Sequence, residues 1–320
     1  MTADPRTGRG RHAAAEPPPG RPQPPAGPAA APPARPSRLA STTGQARAVL
    51  AGSPLACTGL VVILIVCAVC FGGPLVYHWN AVHVSLRLAN QPPGAGHPLG
   101  TDPAGVDVLG ELMAGGRISL EAGISAGVLA AVLGSLWGAV AGYLGGAVDA
   151  IMMRIVDAAI AIPTLVLLLL LTAIYSPSPW VLVLVIAMTS WLGTARLVRA
   201  ESLTLRVREY VQVVHVMGGG GVRAVLRHIA PNAAGTIVVN VTFQVANAIL
   251  TLATLSYLGL GVQPPAVDWG DMIGSGIQYI YDGYWWQIYP PGLAIICVVV
   301  AFTMLGDGLR DSFRPPDPAR

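Results

Sequence analysis

Six apolar runs divide the chain beyond its first fifty residues. They cover roughly Leu55–Val76, Leu120–Leu144, Ala150–Ile174, Trp180–Val198, Thr236–Leu258 and Ile288–Leu309. A helix crossing a ~30 Å hydrocarbon core takes about 20 apolar residues, so each run predicts one spanning helix. The breaks between them differ. A long polar loop precedes the second run, a short turn at "GGAVD" follows it, and "YSPSP" separates the third from the fourth. Pro163 inside the third run predicts a kink, because proline removes a backbone donor and crowds the preceding turn. The fold class expected is an all-α polytopic membrane protein. Residues 49–320 form the membrane domain, preceded by a Pro-, Ala- and Arg-rich tail over residues 1–48. Such a tail cannot bury enough apolar area to offset its ordering entropy and reads as disordered. It is too long and Pro-rich for the n-region of a cleaved signal peptide, so the first span reads as uncleaved.

Within the spans, small and polar residues recur at helical steps. Span two carries Ala126, Ala130, Gly134, Gly138, Gly142 and Gly146, each four residues apart. This predicts a helix-packing ridge, since small residues let helix backbones approach closely in lipid; the same ridge could instead meet another subunit. Span five carries Asn240, Gln244, Asn247, Thr251 and Thr254 at steps of 4, 3, 4 and 3, which places them on one face. Amides in hydrocarbon must be bonded or wetted. The stripe is therefore either interhelical glue or a candidate translocation path for a polar solute, and spacing leaves both open. In span three, Arg154 and Asp157 are spaced for an ion pair on one helix face.

Charge sets the orientation. Only 11% of residues are charged, and all 19 basic residues are arginine. Seven lie in the tail. Arg196, Arg199, Arg206, Arg208, Arg223 and Arg227 surround the loop between spans four and five, and Arg310, Arg314 and Arg320 close the chain. By the positive-inside rule, both termini and the loop at about 199–234 are cytoplasmic. Trp79, Trp180, Trp285, Trp286 and Tyr289 fall where an outer aromatic belt is expected. Without lysine, no phosphate-binding P-loop can form here, so any ATP hydrolysis belongs to a partner. A net charge of +3 offers nothing to nucleic acid. Cys57, Cys67, Cys70 and Cys297 all sit in apolar runs and read as fillers rather than as a metal or disulfide site. No span carries a lone central acid, lysine or histidine of the kind that marks a proton relay.

The loop between spans four and five is patterned. Leu203, Val207, Tyr210, Val211, Val214 and Met217 recur at helical steps. Gly218–Gly221 ends that helix. A second short helix, Val222–Ile229, sets Val222, Val225, Leu226 and Ile229 on one side and Arg223 and Arg227 on another, and Pro231 stops it. An amphipathic basic helix of this kind can also lie on anionic lipid.

With Gly218 thirteen residues before Pro231, this loop resembles the "EAA" loop of membrane subunits of bacterial ABC importers. Four further segments resemble the dipeptide/oligopeptide/nickel permease branch: "HPLGTDPAGVDVL" (His97–Leu109), "ARLVRAESLTLRVREYV" (Ala195–Val211), "LSYLGLGVQPPAVDWGDMI" (Leu255–Ile273) and "LGDGLRDSFRP" (Leu305–Pro315). The likeness spans roughly residues 50–315. It implies a type I ABC importer transmembrane fold in the bacterial cell membrane and a non-catalytic role. It also implies partners: a homologous second permease, two cytoplasmic ABC ATPases that use ATP and magnesium, and an extracytoplasmic solute-binding protein. No cofactor or metal is expected on this chain. The Val213–Ile229 region, with Val213, Val214, Gly218, Arg223, Arg227 and Pro231, would be the ATPase-coupling loop. Four positions depart from the family pattern. The chain has Gln212-Val213-Val214 for Glu-Ala-Ala, Ala230 before the proline, Val106 for an arginine, and Leu252 where an acid is common. The expected solutes are di- or oligopeptides. The alternatives are nickel or another small solute, or an ATP-independent channel or secondary transporter.

Overall fold

A serine and a proline open the first helix. The Ser53 hydroxyl accepts the Ala56 amide at 3.4 Å, and Pro54 occupies the first turn, where no donor is required. The computed structural model describes residues 53–77, 84–175, 178–206 and 230–313. Helix α1, Pro54–Val76, contains a π-helical turn at Ala68–Gly72. It is followed by α2 (Val108–Leu144), α3 (Gly146–Ile160), α4 (Thr164–Ile174), α5 (Pro179–Arg206), α6 (Ala230–Tyr257), α7 (Trp269–Gly276) and α8 (Tyr289–Phe313). Among the described residues, five helices are long and apolar enough to cross a membrane. The count is six if the bent pair α3–α4 is one span.

That pair is the third predicted span, and it is broken rather than merely kinked. Its two helices meet at 81° across Ala161–Pro163. Proline disfavours a helical residue before it and cannot donate to the turn behind it. Helix α2 also differs from expectation, starting at Val108 rather than Leu120. Asp107 caps it by accepting the Gly110 amide at 2.8 Å, and its polar-looking first turns bury Val108, Met113 and Leu120 against neighbours. Among the described residues helix α6 begins at Ala230, which puts Pro231 in its first turn; the short helix expected over Val222–Ile229 lies outside the described residues. A proline is well suited there, because the first helical amides have no partner within the helix. Of the loop assigned to about 199–234, residues 199–206 continue α5 as helix, and 207–229 lie outside the described residues.

Among the described residues, two larger apolar clusters and a small third one at Ala139, Val198 and Leu205 hold the bundle. One of the larger two gathers α1, α6, α7 and α8 around Ile249, Trp269, Val298 and Phe302. The other gathers α2, α4, α5 and α6 around Leu168, Leu182, Ile186, Leu252 and Leu255. Helix α2 divides cleanly. Ile124, Val128, Val132, Leu136 and Val140 face outward, while the small-residue side meets α5. A Cβ on Gly134 would lie 2.5 Å from the Trp191 carbonyl oxygen, and one on Gly138 would run into that of Ala195. One on Gly142 would lie 2.6 Å from Cβ of Ser202. The contacts are mostly with the α5 backbone, the close approach that replaces a hydrophobic drive between helices in lipid. The ridge stops at Gly142. Gly146 lies beyond the end of α2 with φ 55°, nothing lies within 4 Å of a Cβ built on it, and with Gly145 (φ 64°) it forms the turn into α3.

All four cysteines are free, and Cys70 is buried. Trp180, Trp285 and Tyr289 are exposed, as a belt requires. Trp286 is not: it is buried and hydrogen-bonded to a loop, and Trp79 lies outside the described residues.

Candidate functional site

The polar stripe of α6 separates into two environments. At its start, the Gln244 side-chain amide donates to the Ser190 carbonyl at 2.7 Å and to the Thr194 hydroxyl at 3.0 Å. Thr194 in turn donates to Asn240 Oδ1 at 2.7 Å. Gln244 and Thr194 are buried. This is a satisfied relay between α6 and α5. Further along, Asn247 is exposed and Thr251 and Thr254 are half-buried. Their hydroxyls bond back to their own helix, Thr251 to the Asn247 carbonyl at 2.7 Å and Thr254 to that of Leu250 at 2.8 Å. Three residues of helix turn the direction by about 60° short of a full turn, which carries Asn247 off the α5 contact. Leu252 is buried in the α4–α5 cluster, so that position does not share the open face.

Two ends of the bundle are built differently. At the loop end, the segment His97–Leu109 wraps over the start of α2. Asp107 accepts from Tyr77 at 3.0 Å and sits 2.8 Å from His97 Nδ1, while Asp102 accepts the Val106 amide at 2.6 Å. The Thr101 carbonyl accepts the Trp286 indole at 3.1 Å and the Gln287 amide at 3.2 Å. Asp268 caps α7 by accepting from Gly270 (2.7 Å) and Asp271 (3.1 Å), and accepts the Ser256 hydroxyl at 2.5 Å. Trp269 reaches across to the Leu112 carbonyl at 2.9 Å. Burial raises the carboxyls of Asp102 and Asp268 above their usual range, opposed by these donors. Asp271 is raised by burial and then by the charge of Asp268. The two sequence segments that carry the resemblance here thus interlock α2, α6, α7 and α8.

At the arginine end, Arg199 grips Asp149 with two hydrogen bonds, at 2.5 and 2.7 Å, and Arg196 meets Asp157 at 2.6 Å. The expected partner of Asp157 was Arg154; the tertiary neighbour on α5 takes its place. Neither pair is visible in sequence spacing, since the partners lie 50 and 39 residues apart. Arg206 is the last described residue of α5. Of the coupling-loop residues, Val213, Val214, Gly218, Arg223 and Arg227 lie outside the described residues, and Pro231 lies in the first turn of α6.

Residues 134–315, which contain α3 to α8 and the arginine-end pairs, match the family model described as the binding-protein-dependent transport system inner membrane component. The chain belongs to that family. Curated relatives agree. A dipeptide transport system permease protein of Bacillus subtilis is 37% identical over 261 residues, 82% of each chain. A putative peptide permease protein of Brucella suis is 40% identical over 243 residues, 76% of this chain and 80% of its own. A probable D,D-dipeptide transport system permease protein of Escherichia coli is 36% identical over 268 residues, 83% of this chain and 89% of its own. As an inner membrane component of this kind, the chain is a multi-pass permease subunit of an ABC importer with the type I transmembrane fold. It is not the subunit that catalyses ATP hydrolysis.

Proposed function

We propose that this chain forms half of the translocation path of an ATP-driven importer of di- and oligopeptides. The observation that carries the reading is the open half of the α6 stripe. Asn247 is exposed while Thr251 and Thr254 have their hydroxyl protons tied to their own helix, so among the described residues this face fastens no other helix. An amide facing hydrocarbon is unfavourable, and polar residues in spans face a bundle interior or a hydrated cavity. A second, homologous permease facing this stripe would supply that cavity. Amides and hydroxyls suit a peptide, whose backbone offers donors and acceptors whatever its side chains. Nickel would call for imidazole or thiolate ligands, and the stripe has neither. The relatives named as dipeptide and peptide permeases support the same solute class.

The arginine end faces the cytoplasm, as do both termini, and the loop end faces outward to receive a solute-binding protein. Two ATPases dock at the arginine end, where the Val213–Ile229 region is the coupling element, with Gly218 for its turn and Arg223 and Arg227 for its rim. ATP and magnesium are bound by those partners. A modest differential contact with the closed ATPases then biases the permease between outward- and inward-open states.

The test is uptake of a labelled tripeptide and of nickel by liposomes containing the assembled complex. The expected result is peptide accumulation only when ATP, the second permease, the ATPases and the binding protein are all present. Peptide passage through liposomes containing this chain alone would replace the reading with a channel or secondary transporter. Accumulation of nickel and not of peptide would replace the solute.

A further inference from the structure

The cytoplasmic half of α5 is gripped from three sides, and one grip is ionic. On one side Gly138 and Gly142 of α2 abut the backbone of Ala195 and Arg199. On the second, Asn240 and Gln244 of α6 bond Thr194 and the Ser190 carbonyl. On the third, Asp149 and Asp157 of α3 hold Arg199 and Arg196. Helix α3 is otherwise largely exposed among the described residues. Only Asp149 and Val156 of its fifteen residues are buried. Beyond the short turn from α2, the Trp137 indole of that helix bonds the Met152 carbonyl at 3.4 Å.

The geometry of the pairs matters. Asp149 and Asp157 are two turns apart, about 12 Å along α3, whereas Arg196 and Arg199 are about 4.5 Å apart along α5. Two separated anchor points therefore converge on one turn of α5. A single pair would leave a pivot, but two splayed pairs form a triangle that resists rotation of α3 about α5. The Arg199 fork adds its own orientation, since a guanidinium that binds a carboxylate through two parallel bonds fixes the plane of both groups.

We propose that Asp149, Asp157, Arg196 and Arg199 are positioning residues that brace the bent α3–α4 span to α5, so that motion entering α5 at Arg206 also turns α3–α4. This rests on the importer reading, in which the segment after Arg206 receives the ATPase stroke. Neutralising a corner of the triangle would let α5 move without its neighbour. ATP would still be spent, and less solute would cross.

Asp157→Asn and Arg196→Gln are the primary variants, because both side chains are about half exposed and their loss leaves no buried charge. Asp149→Asn is the stronger one. In assembled, purified complexes, peptide moved per ATP is expected to fall several-fold for the first two and about tenfold for Asp149→Asn, within the range of typical coupling energies. Hydrolysis stimulated by the loaded binding protein should stay near wild type. The charge exchange Asp157→Arg with Arg196→Asp should recover most of the lost ratio, which a merely destabilising change would not. Unchanged peptide-to-ATP ratios in all three single variants, or an exchange no better than its single members, would overturn the proposal. A wild-type complex that hydrolyses ATP and moves no peptide would sink the importer reading instead. In that case, spin labels at Ile151→Cys and Leu197→Cys still test the brace. Their separation should be the same with and without ATP in wild type, and should broaden or shift on ATP binding in Asp149→Asn. An ATP-dependent shift already present in wild type would overturn it.

Discussion

Gln244 and Asn247 carry the same terminal group, stand one turn apart on α6, and end in opposite surroundings. Gln244 is buried, with both recorded bonds to α5; Asn247 is exposed, with two threonines beside it whose hydroxyls turn inward to their own helix. One turn of helix thus changes a polar side chain from fastening to lining. The lesson is that a polar stripe in a span need not have one purpose. Which half does what is decided by where the neighbouring helix stops touching it.

The comparison breaks most completely if α5 is pried from its bed. Gly138→Leu would drive a side chain into the Ala195 carbonyl and the Arg199 amide, which are backbone and cannot step aside. Overpacking typically costs about 1–3 kcal/mol and more where backbone must move. The expected outcome is loss of the folded, monodisperse subunit in detergent chromatography, with Gln244 no longer shielded. A well-behaved Gly138→Leu protein would contradict the close α2–α5 contact.

A milder change separates the two halves directly. Gln244→Leu removes the donor to Ser190 and Thr194 and should lower stability by roughly 1 kcal/mol, the scale of interhelical hydrogen bonds in membrane proteins. Asn247→Leu should leave stability within about 0.5 kcal/mol, as changes away from packed or bonded groups do. Denaturation in mixed micelles measures both. Peptide uptake should respond oppositely in kind, with Asn247→Leu reducing transport by assembled complexes several-fold. Equal destabilisation by the two changes would erase the distinction.

The smallest expected effect lies at the loop end and concerns pH. Asp102, Asp268 and Asp271 are held above the usual carboxylate range, mainly by burial, so the folded state binds their protons more tightly than the unfolded chain does. Their contribution is fully present below the unfolded pKa and falls as pH rises through the folded one. Asp271→Asn should therefore flatten the part of the stability–pH curve that declines with rising pH in the acid range. Thermal melts of the two proteins from pH 4 to 7 would show it, and parallel curves would refute it.

Much of this was legible in the chain. Apolar length alone locates the spans, because lipid demands it, and Pro163 marks the place where the third one breaks. The 81° between its halves was not legible, since a kink site does not state an angle. The first turns of α2 were hidden because their partners, not their composition, bury them. Asp157 illustrates the same limit at the candidate site. Local spacing proposes Arg154, but the structure chooses Arg196, which only the packing of α3 on α5 brings near. The stripe on α6 was visible as a face. Its division was not, since that depends on where α5 ends its contact.

Thiol labelling in the assembled complex tests that division most directly. With the four native cysteines replaced, Asn247→Cys and Gln244→Cys are each exposed to a water-soluble, membrane-impermeant maleimide, with and without ATP. The account predicts that Asn247→Cys reacts, at a rate that changes with ATP, while Gln244→Cys stays unlabelled in both states. Labelling of Gln244→Cys as fast as Asn247→Cys, or an inert Asn247→Cys in every state, would contradict it.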